Sequence, residues 1–108
     1  MPNLTFYLSE EQADRFTDLP AFTRTCSALC TDILAAEPDN VHIIFITVKP
    51  GCGHPVYAEL FYRLTPWRTP EVMENFMCEL DLTTQQTWGL MARIRCFGSP
   101  APYPYARN

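Results

Sequence analysis

The sequence predicts a single α+β domain: two consecutive βαβ units forming a four-stranded mixed sheet with both helices on one face. Three observations carry this. A strand, helix, strand pattern runs twice, over residues 2–48 and 55–97, and each half opens on a proline, Pro2 or Pro55. Strand, helix and strand at this length close as a right-handed crossover with the two strands parallel. The 108 residues are 47% hydrophobic and 19% charged, a globular composition with chain enough for one core.

The first strand follows from Leu4, Phe6 and Leu8 alternating with Asn3, Thr5 and Tyr7, the period of a half-buried strand. Ser9-Glu10-Glu11-Gln12 reads as a capped turn leading to Phe16. Asp18 is the expected N-cap of the first helix and Pro20 sits in its first turn. Phe22, Cys26, Leu29, Cys30 and Ile33 then recur at helical spacing as one buried stripe. The helix is expected to end near Glu37-Pro38-Asp39-Asn40, where turn residues cannot continue it. Val41 to Val48 is β-branched and apolar on both faces, the pattern of a strand covered on both sides.

Pro50 to Pro55 is a loop with two glycines. Val56 to Leu64 gives the third strand, with Val56, Ala58, Leu60, Tyr62 and Leu64 on one face. Thr69 caps a second helix and Pro70 takes its first position, with Val72, Met73, Phe76, Met77 and Leu80 facing inward. Thr83 to Thr87 is expected to be a polar turn, and Trp88 to Phe97 the fourth strand. Residues 98–108 read as an extended tail holding three prolines, Tyr103 and Tyr105, either a disordered end or, the reading favoured here, an arm that packs on a neighbouring subunit.

Charge and cysteine usage exclude several function classes. The net charge is −4 and no Lys or Arg stripe is present, which argues against nucleic acid and anionic membrane as partners. The longest apolar run, Val41 to Val48, is too short for a bilayer. Five cysteines without a CxxC pair and without a secretory leader ahead of them are expected to be reduced thiols of a cytoplasmic protein. Cys52-Gly53-His54 lacks the further ligands a zinc site needs, and no cofactor is expected. The arginines gather in the second half, at Arg63, Arg68, Arg93 and Arg95, and their planar forks suit carboxylates.

Pro2 carries the chemistry that sets the chain apart. Proline at the head of a strand costs no ladder hydrogen bond. If Met1 is removed, Pro2 becomes a rigid secondary amine, and an α-amino group titrates near 8, lower still beside positive charge. Such a group serves as general base and then general acid at neutral pH. If Met1 is kept, the nitrogen is a tertiary amide without basicity. The ordinary alternative is that Met-Pro merely begins the chain.

A methionine followed by Pro2 at the head of a strand, two successive βαβ units, and the stretch Tyr62-Arg63-Leu64-Thr65-Pro66-Trp67-Arg68-Thr69 together resemble the tautomerase superfamily. Its members include 4-oxalocrotonate tautomerase, the macrophage migration inhibitory factor group, cis-3-chloroacrylic acid dehalogenase and malonate semialdehyde decarboxylase. The resemblance implies a homotrimer in which the freed Pro2 moves a proton between oxygen and carbon of a small enol or 2-oxo carboxylate. Arg63 and Arg68 look like the arginine pair of the dehalogenase and decarboxylase branches, although they are spaced more widely. His42 occupies the place of a second-strand arginine of 4-oxalocrotonate tautomerase; it either binds substrate as imidazolium or is a satisfied sheet residue. Trp67 is either a water-excluding wall or an interface anchor, and Arg95 adds a further cation for an anionic substrate. The lysine and the CxxC pair of the migration inhibitory factor group are absent. The alternatives are a hydratase-type dehalogenase or decarboxylase, for which Glu59 is the available acid, and a non-catalytic binding protein on the same fold.

Overall fold

The computed structural model describes residues 2–108. Strands β1 (Asn3–Ser9), β2 (His42–Val48), β3 (Val56–Arg63) and β4 (Ala92–Ser99) alternate with helices α1 (Leu19–Asp32) and α2 (Pro70–Trp88). The sheet order is β2-β1-β3-β4. β1 runs parallel to β2 and β3 parallel to β4, while β1 and β3 meet antiparallel at the centre. Each βαβ unit is therefore a parallel pair, and the two units join edge to edge, as expected.

Both helices lie on one face, and the alternation written into the strands seals it. Leu4, Phe6 and Leu8 from β1 meet Val56, Ala58 and Leu60 from β3, all at 4% exposure or less. Phe22, Cys26 and Cys30 of α1 and Met73, Phe76 and Leu80 of α2 close on them. Asp18 caps α1 by accepting from the Ala21 N–H at 3.4 Å, and Thr69 caps α2 by accepting from the Val72 N–H at 3.3 Å. Each such cap contributes about 1 kcal/mol. Ser9 likewise accepts from the Glu11 N–H to start the 3-10 turn Glu10–Arg15.

Three expectations are corrected. Thr83 to Thr87 is not a turn, and Trp88 does not begin a strand: α2 runs on to Trp88 and stops at Gly89 with φ 68. The hydroxyls of Thr83 and Thr84 donate to the carbonyls of Glu79 and Asp81, so these threonines are satisfied within the helix. Leu80, Thr84 and Trp88 then continue the inner stripe at four-residue steps, and Trp88 stacks on Phe22 with centroids 3.9 Å apart. Helix α1 ends earlier than expected, at Asp32, and Ala35 at φ 55 redirects the chain so that Leu34 and Ala36 remain buried. Finally, β2 is an edge strand, and its outer-face residues Ile44 and Ile46 are 49% and 39% exposed; among the described residues nothing covers them fully.

Candidate functional site

Four chain segments converge at the end of the sheet where β1 begins. The Pro2 carbonyl accepts from the His42 N–H at 3.0 Å, which fixes the first residue of β2 beside the head of β1. The antiparallel register pairs Asn3 with Phe61, and one further step along it sets Pro2 against Tyr62. On the far side, the Leu64 N–H donates to the Ser99 carbonyl at 2.9 Å, holding the ends of β3 and β4 together. A cavity of about 370 Å³ opens here, lined by Asn3, His42, Phe61, Tyr62 and Arg63 from the strands. Ser99 and the tail residues Pro104, Ala106, Arg107 and Asn108 complete it.

The expected site residues divide. His42 and Arg63 line the cavity, and Pro2 is fully buried directly behind Asn3. Met1, on whose removal the amine depends, lies outside the described residues. Arg68 is a tie between elements: its Nε donates to the Leu34 carbonyl at 3.0 Å and its Nη1 to the Arg63 carbonyl at 2.8 Å. Burial pulls its guanidinium below the ordinary arginine range. Arg68 thus fixes the backbone from which the Arg63 side chain springs. Trp67 is 56% exposed on the connecting turn and does not line the cavity. Arg95 lies mid-strand on the open sheet face, paired in register with Glu59, and its Nη1 donates to the Ile94 carbonyl.

Sequence reading misses Asn3, Tyr62, Ser99 and Arg107 as lining residues. Asn3 and Tyr62 follow from the register once Pro2 is placed, whereas nothing in a proline-rich tail signals that it turns back toward the sheet. Among the described residues no group of three His, Cys, Asp or Glu side chains is arranged to hold a metal ion. No helix of the described residues is long and apolar enough to cross a membrane. The buried thiols are held in the neutral form: burial pushes Cys26 up to about 12 and Cys30 and Cys96 up to about 11.

The arrangement is an open-ended basic cavity with an amide, a hydroxyl and aromatic walls, at the sheet end where Pro2 precedes β1; the buried Pro2 ring is not one of its lining residues. It can receive a small anion and hold it against the head of β1.

No protein-family model matches the sequence, and no curated protein matches it. Solved structures do. A member of the cis-3-chloroacrylic acid dehalogenase family superposes with a TM-score of 0.73 at 12% identity, over 96% of this chain and 79% of that one. A fused 4-OT forming a symmetric trimer gives 0.71 at 15% identity, over 96% and 92%. Malonate semialdehyde decarboxylase, described with decarboxylase and hydratase activities, gives 0.65 at 12% identity, over 98% and 92%. With its β2-β1-β3-β4 sheet and two helices on one face, the chain has the fold of the tautomerase superfamily.

Proposed function

We propose that the protein is a cofactor-independent tautomerase acting on small enol or 2-oxo carboxylates, with Pro2, freed of residue 1, as the proton carrier. One observation carries the reading: Pro2 heads β1 beside a cavity that contains Arg63 and His42 and no acidic side chain among its described lining residues. A cation in that cavity favours the neutral amine, binds the substrate carboxylate and stabilises the developing enolate. The amine accepts the proton from the enol hydroxyl and returns it to carbon, so its role alternates within one turnover. Arg63 is the substrate-binding cation, and Arg68 acts through it as a positioning residue. His42 offers a second donor to the anion.

The fold neighbours support this class of chemistry without choosing within it, since they include a dehalogenase-family member and a decarboxylase. Hydration chemistry needs an acidic partner for water, and Glu59 is engaged elsewhere: the Tyr57 hydroxyl donates to its Oε2 at 3.1 Å, and it does not line the cavity. That favours proton transfer over hydration. A homotrimer is part of the proposal, supported by the uncovered sheet face and by the trimeric fused 4-OT of the same fold.

The test is mass spectrometry of the mature chain together with ketonisation of a small enolpyruvate followed by ultraviolet absorbance. Pro2→Ala is expected to lose about 100-fold or more in kcat/KM, the usual range for a general base, and an uncleaved N-terminal extension to lose all of it. Equal turnover by the extended chain would remove Pro2 from the mechanism.

A further inference from the structure

We infer that Gly98 is a positioning residue for the Pro2 site: with no Cβ of its own, it lets the Tyr62 ring lie over β4, and the space on the Pro2 side of that ring stays open to substrate. This deepens the tautomerase reading and rests on it for the role of Pro2. Gly98 does not line the cavity; it acts through Tyr62, which does.

Side-chain alternation singles Tyr62 out. Cross-strand partners share a face of the sheet, and so do residues two apart along a strand. The pairs Asn3–His42, Asn3–Phe61 and Arg63–Ser99 therefore place these five lining residues on the open face. Pro2 stands two residues before Leu4, and Tyr62 two after Leu60. Leu4 and Leu60 are partners buried on the helix face, so Pro2 and Tyr62 belong to that face as well. Among the described lining residues from the strands, Tyr62 alone shares the face of Pro2. Since Pro2 is fully buried and lines no part of the cavity, the way to it from the cavity runs past the Tyr62 ring.

The ring leans away from Pro2. Tyr62 pairs with Gly98 across the parallel β3–β4 ladder, and a Cβ on Gly98 would fall 3.0 Å from Tyr62 Cζ, 2.5 Å from Leu64 Cδ2 and 3.0 Å from Leu64 Cγ. Carbon atoms in contact keep about 3.5–4.0 Å apart, so the phenol end of the ring takes the place that a side chain at position 98 would fill. The φ of Gly98 lies outside the left-handed region; glycine is needed here for close approach and not for backbone conformation. The two neighbours yield differently. Leu64 is 48% exposed and can swing its methyl group into water. Tyr62 is half-buried and its ring is rigid, so it must pivot as a unit. β4 lies on one side of β3 and β1, headed by Pro2, on the other, and a ring driven off β4 moves toward Pro2.

The test reads access to the Pro2 nitrogen and not turnover. The full chain, prepared with Pro2 as its first residue, is acylated with acetic anhydride or with the bulkier N-hydroxysuccinimide ester of phenylacetic acid, and the rate at Pro2 is followed by mass spectrometry. Lys49, exposed just past β2 at the opposite end of the sheet, is the internal reference. Gly98→Ala and Gly98→Val are expected to slow the bulky ester at Pro2 progressively, by about tenfold or more for valine, the order expected of overpacking. Acetylation of Pro2 should change less than about threefold, with Lys49 labelling and circular dichroism unchanged. Adding Tyr62→Ala to Gly98→Val is expected to bring the bulky ester back to within about threefold of the unaltered rate, because the two positions act through one contact. A loss that survives Tyr62→Ala, an equal loss with both reagents, no loss in Gly98→Val, or no reaction of Pro2 in the unaltered chain overturns the inference. A chain that shows the graded loss and its rescue but turns over no enol carboxylate keeps the inference and loses the tautomerase reading; turnover without the graded loss does the reverse.

Discussion

The two faces of the sheet are made by the same strands and meet different fates. On the helix side, Leu4, Phe6, Leu60 and Val56 are at 1% exposure or less; on the other, Ile44, Phe61 and Phe97 are between 43% and 49% exposed, and Phe61 and Phe97 stack on each other at 5.0 Å. The difference separates two sources of stability. One face is completed within the chain by α1 and α2, and the other has an apolar surface that only a further molecule can remove from water. The candidate cavity sits where the two faces meet at the sheet end, so it is held firmly by the first face and shaped by whatever covers the second.

Substitutions can break this contrast, starting with the closed face. Phe6 is fully buried and packs with Phe22, Phe45 and Trp88 in one aromatic cluster. Phe6→Ala is expected to cost about 3–5 kcal/mol, read as a lower denaturation midpoint at every protein concentration. A concentration-dependent loss would mean that the closed face is not complete within one chain.

Alkaline pH probes the same face more gently. The folded pKa values of Cys26, Cys30 and Cys96 are raised by burial from 9.0 to about 12, 11 and 11. Since the unfolded chain releases these protons first, their contribution is fully present below pH 9 and is lost as pH rises through the folded values. Unfolding free energy under reducing conditions should therefore be level up to about pH 8.5 and fall above pH 9. Cys26→Ala should flatten the fall.

On the open face the expectation reverses. Ile46→Lys, at a position 39% exposed, should leave the unfolding free energy of the dilute single chain within about 0.5 kcal/mol. Sedimentation equilibrium should nevertheless read a smaller assembly than for the unaltered chain. Unchanged mass would mean that this face is not where copies meet.

Much of the closed face is legible in the residues, because the alternation of β1 and the caps Asp18 and Thr69 are local signals with local causes. The failures are also physical. A run of threonines and glutamines looks like a turn when hydroxyls are assumed to compete with the backbone, but Thr83 and Thr84 bond their own helix. Trp88 carries a strand-forming side chain and takes its place from an aromatic cluster assembled by Phe6, Phe16 and Phe22. The apolar run of β2 reads as covered on both sides, which a single chain does not provide. At the site, the sequence favours Arg68 over Arg63, whereas the structure ties Arg68 to two backbone carbonyls and brings Arg63 to the cavity. Arg107 has no signal as a lining residue, since its place at the cavity depends on a turn in the tail far from any motif.

The bond from the His42 N–H to the Pro2 carbonyl has a consequence for how such a molecule is made. The first strand is moored through the carbonyl side of its leading residue, and proline has no N–H to contribute. Whether the ring nitrogen is capped or bare therefore makes no difference to the pairing of that strand. Trimming of the terminus can therefore free the ring nitrogen without breaking that bond, and the blocked and trimmed forms should share the same β1–β2 pairing.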